Sequence, residues 1–345
     1  MTTTDPAIRA LLVESSPLDR TQLILLLQRD GDITVIGEAA TGAEAVGIFA
    51  RTKPDVVILN LHLEDGSSHH AIEQIMAHTP TPILVLSATL DDRGSPGAME
   101  ALVAGAADLL PTCRGWIAEL GVELRRAVRQ IHKIRVIRHP RRRLNSTPRH
   151  RRDRHPEQHP VVAMAASTGG PAALATLLAG LAGLPAPMLI VQHLHPEFTN
   201  RLVEWMARIS PLPVTTAEHG QIPRAGCIYV APSKMHLRVG PSLRLELGPE
   251  PESPHLPSAD QLFLSVAEQA GAAAVGVLLT GIGDDGARGL LEIHRRGGQT
   301  LAQDEATCAV FGMPQAARRI GAVTDLKPVT QLAAAINQAV RKVRA

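Results

Sequence analysis

Aromatic residues and cysteines are both scarce in this chain of 345 residues. It has four Phe, two Trp and one Tyr, so a module that stacks nucleic-acid bases on aromatic side chains is disfavoured. The cysteines Cys113, Cys227 and Cys308 are widely spaced and odd in number. This spacing argues against a disulfide framework or a zinc ribbon and is typical of a reducing compartment.

Net charge is also small, at +2, but the charged residues are unevenly distributed. Residues 125–154 hold 13 Arg and Lys against one acidic residue, whereas the rest of the chain holds 22 basic and 32 acidic residues. With 45% hydrophobic residues the chain is predicted to be globular. Its length favours two domains, and the basic segment marks the joint between them.

Long hydrophobic runs of the kind found in signal peptides are missing from residues 1–20, so we expect no signal peptide. A charge-free stretch over residues 160–192 is long enough to span a membrane. Glycines and prolines divide it into a strand at 161–166, a helix at 171–181 and a strand at 188–192. A buried β-α-β unit explains it better than a bilayer does, and we expect no membrane insertion.

Strands alternate with helices along both halves of the chain. Apolar runs predict strands at residues 8–13, 35–37, 55–59, 82–87, 107–110, 161–166, 188–192, 227–231, 237–239, 243–247 and 275–279. Helices are predicted at 18–28, 43–50, 98–105, from about 116, and at 171–181, 260–270 and 286–295. The predicted fold class is therefore α/β with parallel sheets, in two domains over residues 1–137 and 160–345.

The intervening segment, residues 138–159, is predicted to be a basic linker. Residues 139–160 contain four prolines, four histidines and one large aliphatic residue, Leu144, so they cannot bury a core. One interpretation is electrostatic attraction to an acidic partner. The other is a solvated spacer, which we favour because like-charge runs are usually linkers or tails.

Ser167 is a candidate nucleophile because it follows a predicted strand and precedes Thr168, Gly169 and Gly170 at the start of a helix. Backbone N–H groups at such a helix start can stabilise an oxyanion. The alternatives are an N-capping serine or a small-anion loop without chemistry.

His193 and Asp285 also lie just beyond predicted parallel strands. That edge of a parallel sheet is where ligands bind, and a serine nucleophile needs a base that is itself oriented by a carboxylate. A loop histidine and a capping aspartate are the alternatives for each residue singly. Their coincidence with Ser167 at one edge favours catalysis, and the chain order Ser, His, Asp differs from that of the common serine hydrolases.

Two other patterns are weaker. His193 and His195 form a His-x-His pair that could bind metal, but no third ligand has convincing spacing, so His195 is interpreted as a loop residue. Gly281, Gly283 and Gly286 are similar to a dinucleotide-binding loop but lack the downstream acidic residue of that motif.

The motifs of residues 160–345 together resemble the catalytic domain of chemotaxis protein-glutamate methylesterases, the CheB family. They are residues 166–170 (ASTGG), 191–193 (VQH), 229–232 (YVAP), 257–260 (PSAD), 279–286 (LTGIGDDG), 302–306 (AQDEA) and 310–314 (VFGMP). The first domain resembles the response-regulator receiver that precedes this domain in the family. The resemblance implies a flavodoxin-like receiver followed by a doubly wound, mostly parallel, Rossmann-like methylesterase domain.

The resemblance also implies an activity, the hydrolysis of glutamate γ-methyl esters and the deamidation of glutamines on cytoplasmic helices of chemoreceptors. Ser167 would attack, His193 would act as base and acid, and Asp285 would orient it. The N–H groups of Thr168 and Ile282 would form the oxyanion hole.

Two residues depart from the family pattern in this domain. Ile282 stands where many relatives have Met, a change that a backbone donor tolerates. Asp284 stands where they usually have Asn. Asp284 could raise the pKa of His193 or Asp285, or could simply point to solvent.

The receiver domain departs further from its family pattern. Glu14 and Ser15 stand where an acidic pair would hold Mg²⁺, and Asn60 stands where the phosphoacceptor aspartate is expected. The switch hydroxyl is kept as Ser87, whereas Thr112 replaces a lysine. An amide cannot form an acyl phosphate, and one carboxylate gives Mg²⁺ too little negative charge. We therefore expect no cofactor and no metal, and a degenerate phosphoacceptor site.

The expected protein is a cytoplasmic, monomeric esterase that acts on methyl-accepting chemoreceptors without control by phosphorylation. The receiver could hold the active site shut or leave it open, and it could respond to a new input or have decayed. The rival hypothesis is a non-catalytic adaptor that binds receptors or an acidic partner through the receiver and basic linker. Nucleic acid is not an expected partner.

Overall fold

The computed structural model of the chain describes residues 6–87, 97–112, 117–134 and 160–344. The chain forms two compact units, Met1–Arg138 and His139–Ala345. The basic linker predicted for residues 138–159 lies outside the described residues, and so does Cys113.

The first unit alternates strands with helices. Its strands are β1 (Ile8–Val13), β2 (Ile33–Ala39), β3 (Val56–Asn60), β4 (Ile83–Ser87) and β5 (Asp108–Pro111). Its helices are α1 (Pro17–Gln28), α2 (Gly42–Thr52), α3 (Ser68–His78), α4 (Ala98–Ala104) and α5 (Ile117–Ile131). α1 and α2 begin where the hydroxyls of Ser16 and Thr41 accept hydrogen bonds from backbone N–H groups of the first turn.

These strands form one parallel sheet in the order β2-β1-β3-β4-β5. Leu11, Val57 and Leu84, in its three inner strands, are fully buried. Continuous apolar strands of this kind belong in a parallel sheet that is covered on both faces by helices. The strand order is that of a flavodoxin-like sheet, which confirms the predicted fold class.

Two arginines of the basic segment belong to α5 and neutralise acidic residues of their own unit. Arg125 donates to the carboxylate of Asp30 at 2.8 Å and to the carbonyl of Leu26 at 2.7 Å. Arg129 donates to both Asp30 and Asp32 at 2.6 Å. Hydrogen bonds from Arg129 hold the pKa of both carboxyls below the ordinary value. Two of the basic residues in the segment 125–154 are therefore paired with acidic residues of the first unit.

The second unit also alternates strands with helices. Its strands are β6 (Val161–Ala166), β7 (Met188–Gln192), β8 (Val214–Thr216), β9 (Ile228–Val230), β10 (His236–Val239), β11 (Leu245–Gly248), β12 (Ala274–Leu278), β13 (Gln299–Gln303) and β14 (Asp325–Lys327). Its helices are α6 (Gly170–Leu178), α7 (Thr199–Ile209), α8 (Ala259–Ala270), α9 (Ala287–Arg295), α10 (Met313–Arg319) and α11 (Val329–Val343).

Seven of these strands form a parallel sheet in the order β14-β13-β12-β6-β7-β9-β8, and β10 and β11 form a separate antiparallel pair. The chain runs outward from β6 on one side and from β12 on the other. The boundary between β6 and β12 is therefore the topological switch point, where doubly wound sheets open a crevice for ligands.

The charge-free residues 160–192 form the β6-α6-β7 unit that the sequence predicts. All residues of β6 and β7 are buried, which explains why this stretch carries no charge. Among the described residues, no helix has the length and apolar character that crossing a bilayer requires.

The apolar patterns used above do not predict seven of the elements, namely α3, α7, α10, α11, β8, β13 and β14. The strands among them are short or carry polar residues, as in β14, which has only three residues and no fully buried side chain. The helix α7 buries Leu202, Trp205 and Met206 at helical spacing, so its signal was present in the sequence.

Replacing Arg125 by Met should lower the free energy of unfolding of the first unit by about 1–3 kcal/mol, because the carbonyl of Leu26 loses a charged donor from a buried guanidinium. Urea unfolding of the full chain, followed by hydrogen exchange in β1 to β5, measures this loss. The control is Arg296→Met, which breaks a partly exposed pair with Glu292 and should cost about 0.5 kcal/mol or less. Equal losses in both variants would contradict the structural role of Arg125.

Candidate active site

Three polar side chains lie at the carboxyl edge of the seven-stranded sheet. Ser167 follows β6, His193 follows β7, and Asp285 lies in the loop between β12 and α9. The strands β6 and β7 pair in register up to their last residues, so Ser167 and His193 leave adjacent strand ends. The N–H of Ser167 donates to the carbonyl of Thr280 at 3.0 Å, which ties it to the loop after β12. The candidate site thus sits at the switch point.

His193 and Asp285 form a buried hydrogen-bonded pair. The Nε2 atom of His193 lies 2.9 Å from Oδ2 of Asp285, and the two side chains are 12% and 6% exposed. An ionised carboxylate only accepts hydrogen bonds, so Nε2 carries the proton and Nδ1 keeps its lone pair. Nδ1 is buried and makes no hydrogen bond within the described part of the chain. Nδ1 is therefore the basic atom that the imidazole offers.

The carboxylate of Asp285 has three further donors. Its Oδ1 accepts from the hydroxyl of Ser258 at 2.9 Å and from the N–H of Asp260 at 3.0 Å. Its Oδ2 accepts from the N–H of Ala259 at 2.7 Å. Because these N–H groups open α8, the carboxylate lies at the positive end of a helix of 12 residues.

The pKa of Asp285 reflects this environment. Burial by itself raises the pKa of this carboxyl, but the hydrogen bond and charge of His193, with the N–H groups of Asp260 and Ala259, hold it well below its usual range. Asp285 is therefore ionised at neutral pH and can stabilise a protonated His193.

A buried histidine fixes Ser258 in turn. The N–H of Ser258 donates to Nδ1 of His236 at 3.1 Å, and Nε2 of His236 donates to the carbonyl of Pro251 at 2.9 Å. His236 is 1% exposed, and these two bonds define its neutral tautomer. Sequence reasoning assigned no role to Ser258 or His236, although Ser258 stood in a recognised motif.

Ser167 packs closely against Gly281 of the loop after β12. Its Cβ would be only 2.7 Å from a Cβ built on Gly281, so glycine is required there, and Ile282 follows at once. Among the described residues, the N–H groups of Thr168 and Ile282 donate to no other protein group. Two unengaged backbone N–H groups thus follow directly after Ser167 and after the glycine that it packs against.

One face of the His193 ring is covered by a second imidazole, that of His255. The ring centroids are 4.5 Å apart and the planes differ by 9°. This stacking limits rotation of the His193 ring. The sequence contained only a weak indication that His255 lies in the site, namely its position just before the 257–260 motif.

Two other residues singled out in the sequence, Asp284 and His195, show no sign of a catalytic or metal-binding role among the residues that the structure describes. Asp284 is exposed, in agreement with its interpretation as a solvent-facing residue. Nδ1 of His195 accepts from the N–H of Glu197 at 3.5 Å. Within the described ranges, no group of three or more His, Cys, Asp or Glu side chains could hold a metal ion.

A second group of polar residues lies at the carboxyl edge of the five-stranded sheet. Glu14 is buried at 3% exposure. Its Oε2 accepts from Nδ2 of Asn60 at 2.5 Å, and its Oε1 accepts from the N–H of Ser16 at 2.9 Å. Ser15, between them in sequence, is half-buried. Both oxygens of the one carboxylate are thus engaged by protein donors.

These residues do not fit the Mg²⁺ that receiver domains bind. Mg²⁺ requires several oxygen ligands in octahedral geometry, whereas the Asn60 amide directs N–H toward the Glu14 carboxylate. The remaining oxygen of Asn60 accepts from the N–H of His62 at 2.9 Å. Ser87 and Thr112 lie at the neighbouring strand ends, where the N–H of Thr112 donates to the carbonyl of Ser87 at 2.8 Å.

Known sequences identify both units. The family model for CheB methylesterase matches residues 162–336, and that for the response regulator receiver domain matches residues 10–112. The chain belongs to the CheB methylesterase family. It is 40% identical to protein-glutamate methylesterase/protein-glutamine glutaminase 2 of Anaeromyxobacter dehalogenans (strain 2CP-C), over 98% of both chains. It is 38% identical to protein-glutamate methylesterase/protein-glutamine glutaminase 3 of Hahella chejuensis (strain KCTC 2396), over 95% of this chain and 97% of the relative.

A solved structure agrees with this assignment. The crystal structure of the Thermotoga maritima CheB methylesterase catalytic domain matches with a TM-score of 0.50 and 30% sequence identity, over 52% of this chain and 98% of that one. The family resemblance and the order of an N-terminal receiver domain and a methylesterase domain are thereby confirmed. This CheB-family chain is an enzyme of the hydrolase class.

Gly281→Ala should slow labelling of Ser167 by a fluorophosphonate about 100-fold, because the added Cβ displaces Ser167 and a misplacement of about 1 Å costs that much reactivity. Mass spectrometry of the labelled peptide measures the rate. The control is Gly248→Ala, whose Cβ meets nothing within 4 Å and which should label normally. Normal labelling of the Gly281 variant would show that this close approach does not position the serine.

Proposed function

We propose that this enzyme hydrolyses glutamate γ-methyl esters, and deamidates glutamines, on the cytoplasmic helices of chemoreceptors, with Ser167, His193 and Asp285 as its catalytic triad. The observation that carries the proposal is the buried His193–Asp285 pair, with His193 and Ser167 at the ends of adjacent paired strands at the switch point. The relatives named above carry both activities in their names. A substrate on the cytoplasmic helices of receptors requires a cytoplasmic enzyme, and this location is part of the proposal.

In the first half of the reaction, the hydroxyl of Ser167 attacks the ester carbonyl and gives its proton to Nδ1 of His193. Nδ1 is the acceptor because Nε2 is held by Asp285. The carbonyl oxygen becomes an oxyanion, which the N–H groups of Thr168 and Ile282 stabilise. His193 then protonates the methoxide, methanol leaves, and an acyl-enzyme remains.

In the second half, water attacks the acyl-enzyme while Nδ1 of His193 takes its proton. The proton then passes to the oxygen of Ser167, and the product leaves as the glutamic acid side chain, which loses its remaining proton to solvent. For a glutamine substrate the same steps release ammonia in place of methanol. Asp285 stays ionised throughout because four donors stabilise its charge, and no step requires a cofactor.

Control of this activity is proposed to be independent of receiver phosphorylation. Asn60 offers an amide where a carboxylate nucleophile is required, and its Nδ2 is directed at Glu14. Both oxygens of the single carboxylate already accept hydrogen bonds from protein donors, and one carboxylate gives Mg²⁺ too little negative charge. The receiver domain therefore keeps its fold without the groups that would form and stabilise an acyl phosphate.

Ser167→Ala should lower the rate of receptor demethylation by about 10⁴- to 10⁶-fold, since the members of a triad act as a unit. The release of methanol from methylated receptor measures the rate, and thermal unfolding verifies that the fold is kept. Ser210→Ala, which changes a serine at the end of α7, serves as the control and should retain full activity. Substantial activity in the Ser167 variant would refute the assignment of the nucleophile.

Addition of a small phosphodonor such as acetyl phosphate with Mg²⁺ should leave the demethylation rate of the full chain unchanged and attach no phosphoryl group to the receiver domain. Methanol release and intact-mass measurement provide the two readouts. A stimulation that Asn60→Ala abolishes would overturn the phosphate-independent interpretation.

A further inference from the structure

Gln192, the last residue of β7, connects the candidate nucleophile with the candidate base. Its side chain is buried, at 6% exposure. Its Nε2 donates to the carbonyl of Ser167 and to the carbonyl of His193, both at 2.8 Å. One amide group thus uses both of its hydrogens to hold the backbone on either side of the site.

The bond to the Ser167 carbonyl determines where the next N–H group points. A trans peptide is planar, so its C=O and N–H point in opposite directions. The carbonyl of Ser167 is held by Gln192 and by the N–H of Gly170, both at 2.8 Å. The N–H of Thr168, one of the two proposed oxyanion donors, is therefore fixed on the opposite side of the same peptide plane.

The second bond of Gln192, to the carbonyl of His193, restrains the backbone of the proposed base. The Nε2 atom holds the peptide that leaves His193, while the N–H that enters it donates to the carbonyl of Ala166 at 2.9 Å. The backbone of the base is thus held on both sides, and its ring is held by Asp285.

The other end of the amide shows that this orientation is achieved at a cost. Oε1 of Gln192 is buried and has no hydrogen-bond partner in the described part of the chain. It lies against Gly170, where a Cβ would collide with it. Turning the amide over would place Oε1 against two carbonyl oxygens, so the two acceptors fix the orientation. An apolar side chain of the same size would fill this space without an unsatisfied acceptor, and packing alone does not explain a glutamine here.

We propose that Gln192 is a positioning residue for catalysis, whose amide aligns the Thr168 oxyanion donor and the His193 base. The proposal rests on the function proposed above. It assigns to Gln192 no contact with substrate, so its removal should affect the transition state and not the binding of the ground state.

The test replaces Gln192 by Met, which keeps the volume and removes both donors, and separately by Glu, which keeps the shape and directs oxygen at the two carbonyls. The concentration of folded active sites is first measured by complete fluorophosphonate labelling of Ser167. Each kcat is then calculated per labelled site, so that unfolded protein does not lower it. The expected result per labelled site is a loss of kcat of about 10- to 100-fold in both variants, with KM for methylated receptor unchanged within about twofold. Gln221→Met, at a half-buried glutamine of the second unit, should leave both constants at wild-type values.

A second readout separates positioning from a structural role. A trifluoromethyl ketone analogue of the glutamate side chain forms a tetrahedral oxyanion with Ser167, whereas the corresponding alcohol does not. Both Gln192 variants should lose affinity for the ketone by about the factor lost in kcat and keep their affinity for the alcohol.

Wild-type kcat per labelled site in the Met variant would overturn the role of Gln192, and so would equal losses of affinity for ketone and alcohol. Failure of the proposed function gives a different result, because the wild-type chain would then release no methanol, or the Ser167→Ala variant would still release it.

Discussion

The ionised carboxylate of Asp285 is the group on which the geometry of the site depends. A charge can be buried only where protein donors replace the water it loses. Asp285 has four such donors, three of them at the start of α8 and the fourth on His193. Because Nε2 of the imidazole is one of these donors, Nδ1 is left as its basic atom. The identity of the base atom thus follows from how a neighbouring charge is accommodated.

The receiver domain also buries a carboxylate among protein donors, but there the arrangement produces no reactive group. Glu14 is also a buried carboxylate, and it too is satisfied by protein donors, the amide of Asn60 and the N–H of Ser16. In the methylesterase domain the donors leave a lone pair of His193 available for reaction. In the receiver domain the donors hold the one carboxylate of the site, which alone gives a metal ion too few ligands, and the residue at the phosphoacceptor position is an amide. Satisfaction of a buried charge therefore creates a reactive site in one domain and removes one in the other.

The sequence predicts most of the strands because they are apolar runs, and it identifies Ser167 and His193 because each is the polar residue that follows such a run. Asp285 lies in the loop beyond the apolar run of β12, within a recognised motif. The groups that support these three residues do not leave such a pattern. Ser258 is 27 residues from Asp285 in the chain, and only the packing of α8 against the loop after β12 brings them together. Gln192 is the last residue of an ordinary apolar strand, and its two acceptors become evident only when the peptide planes are known.

The chemistry of the receiver domain also limits the kind of signal that it can transmit. Under the proposed function, Asn60 cannot acquire a phosphoryl group, so phosphorylation of this residue cannot change the charge at the carboxyl edge of the sheet. A change in charge is what gives phosphorylation its energetic effect on a conformational equilibrium. Without it, an input that acts by binding shifts that equilibrium through a partner whose affinities for two conformations differ, by about 1.4 kcal/mol for each tenfold change in population. A regulator of this kind therefore has to remain bound for as long as its effect lasts.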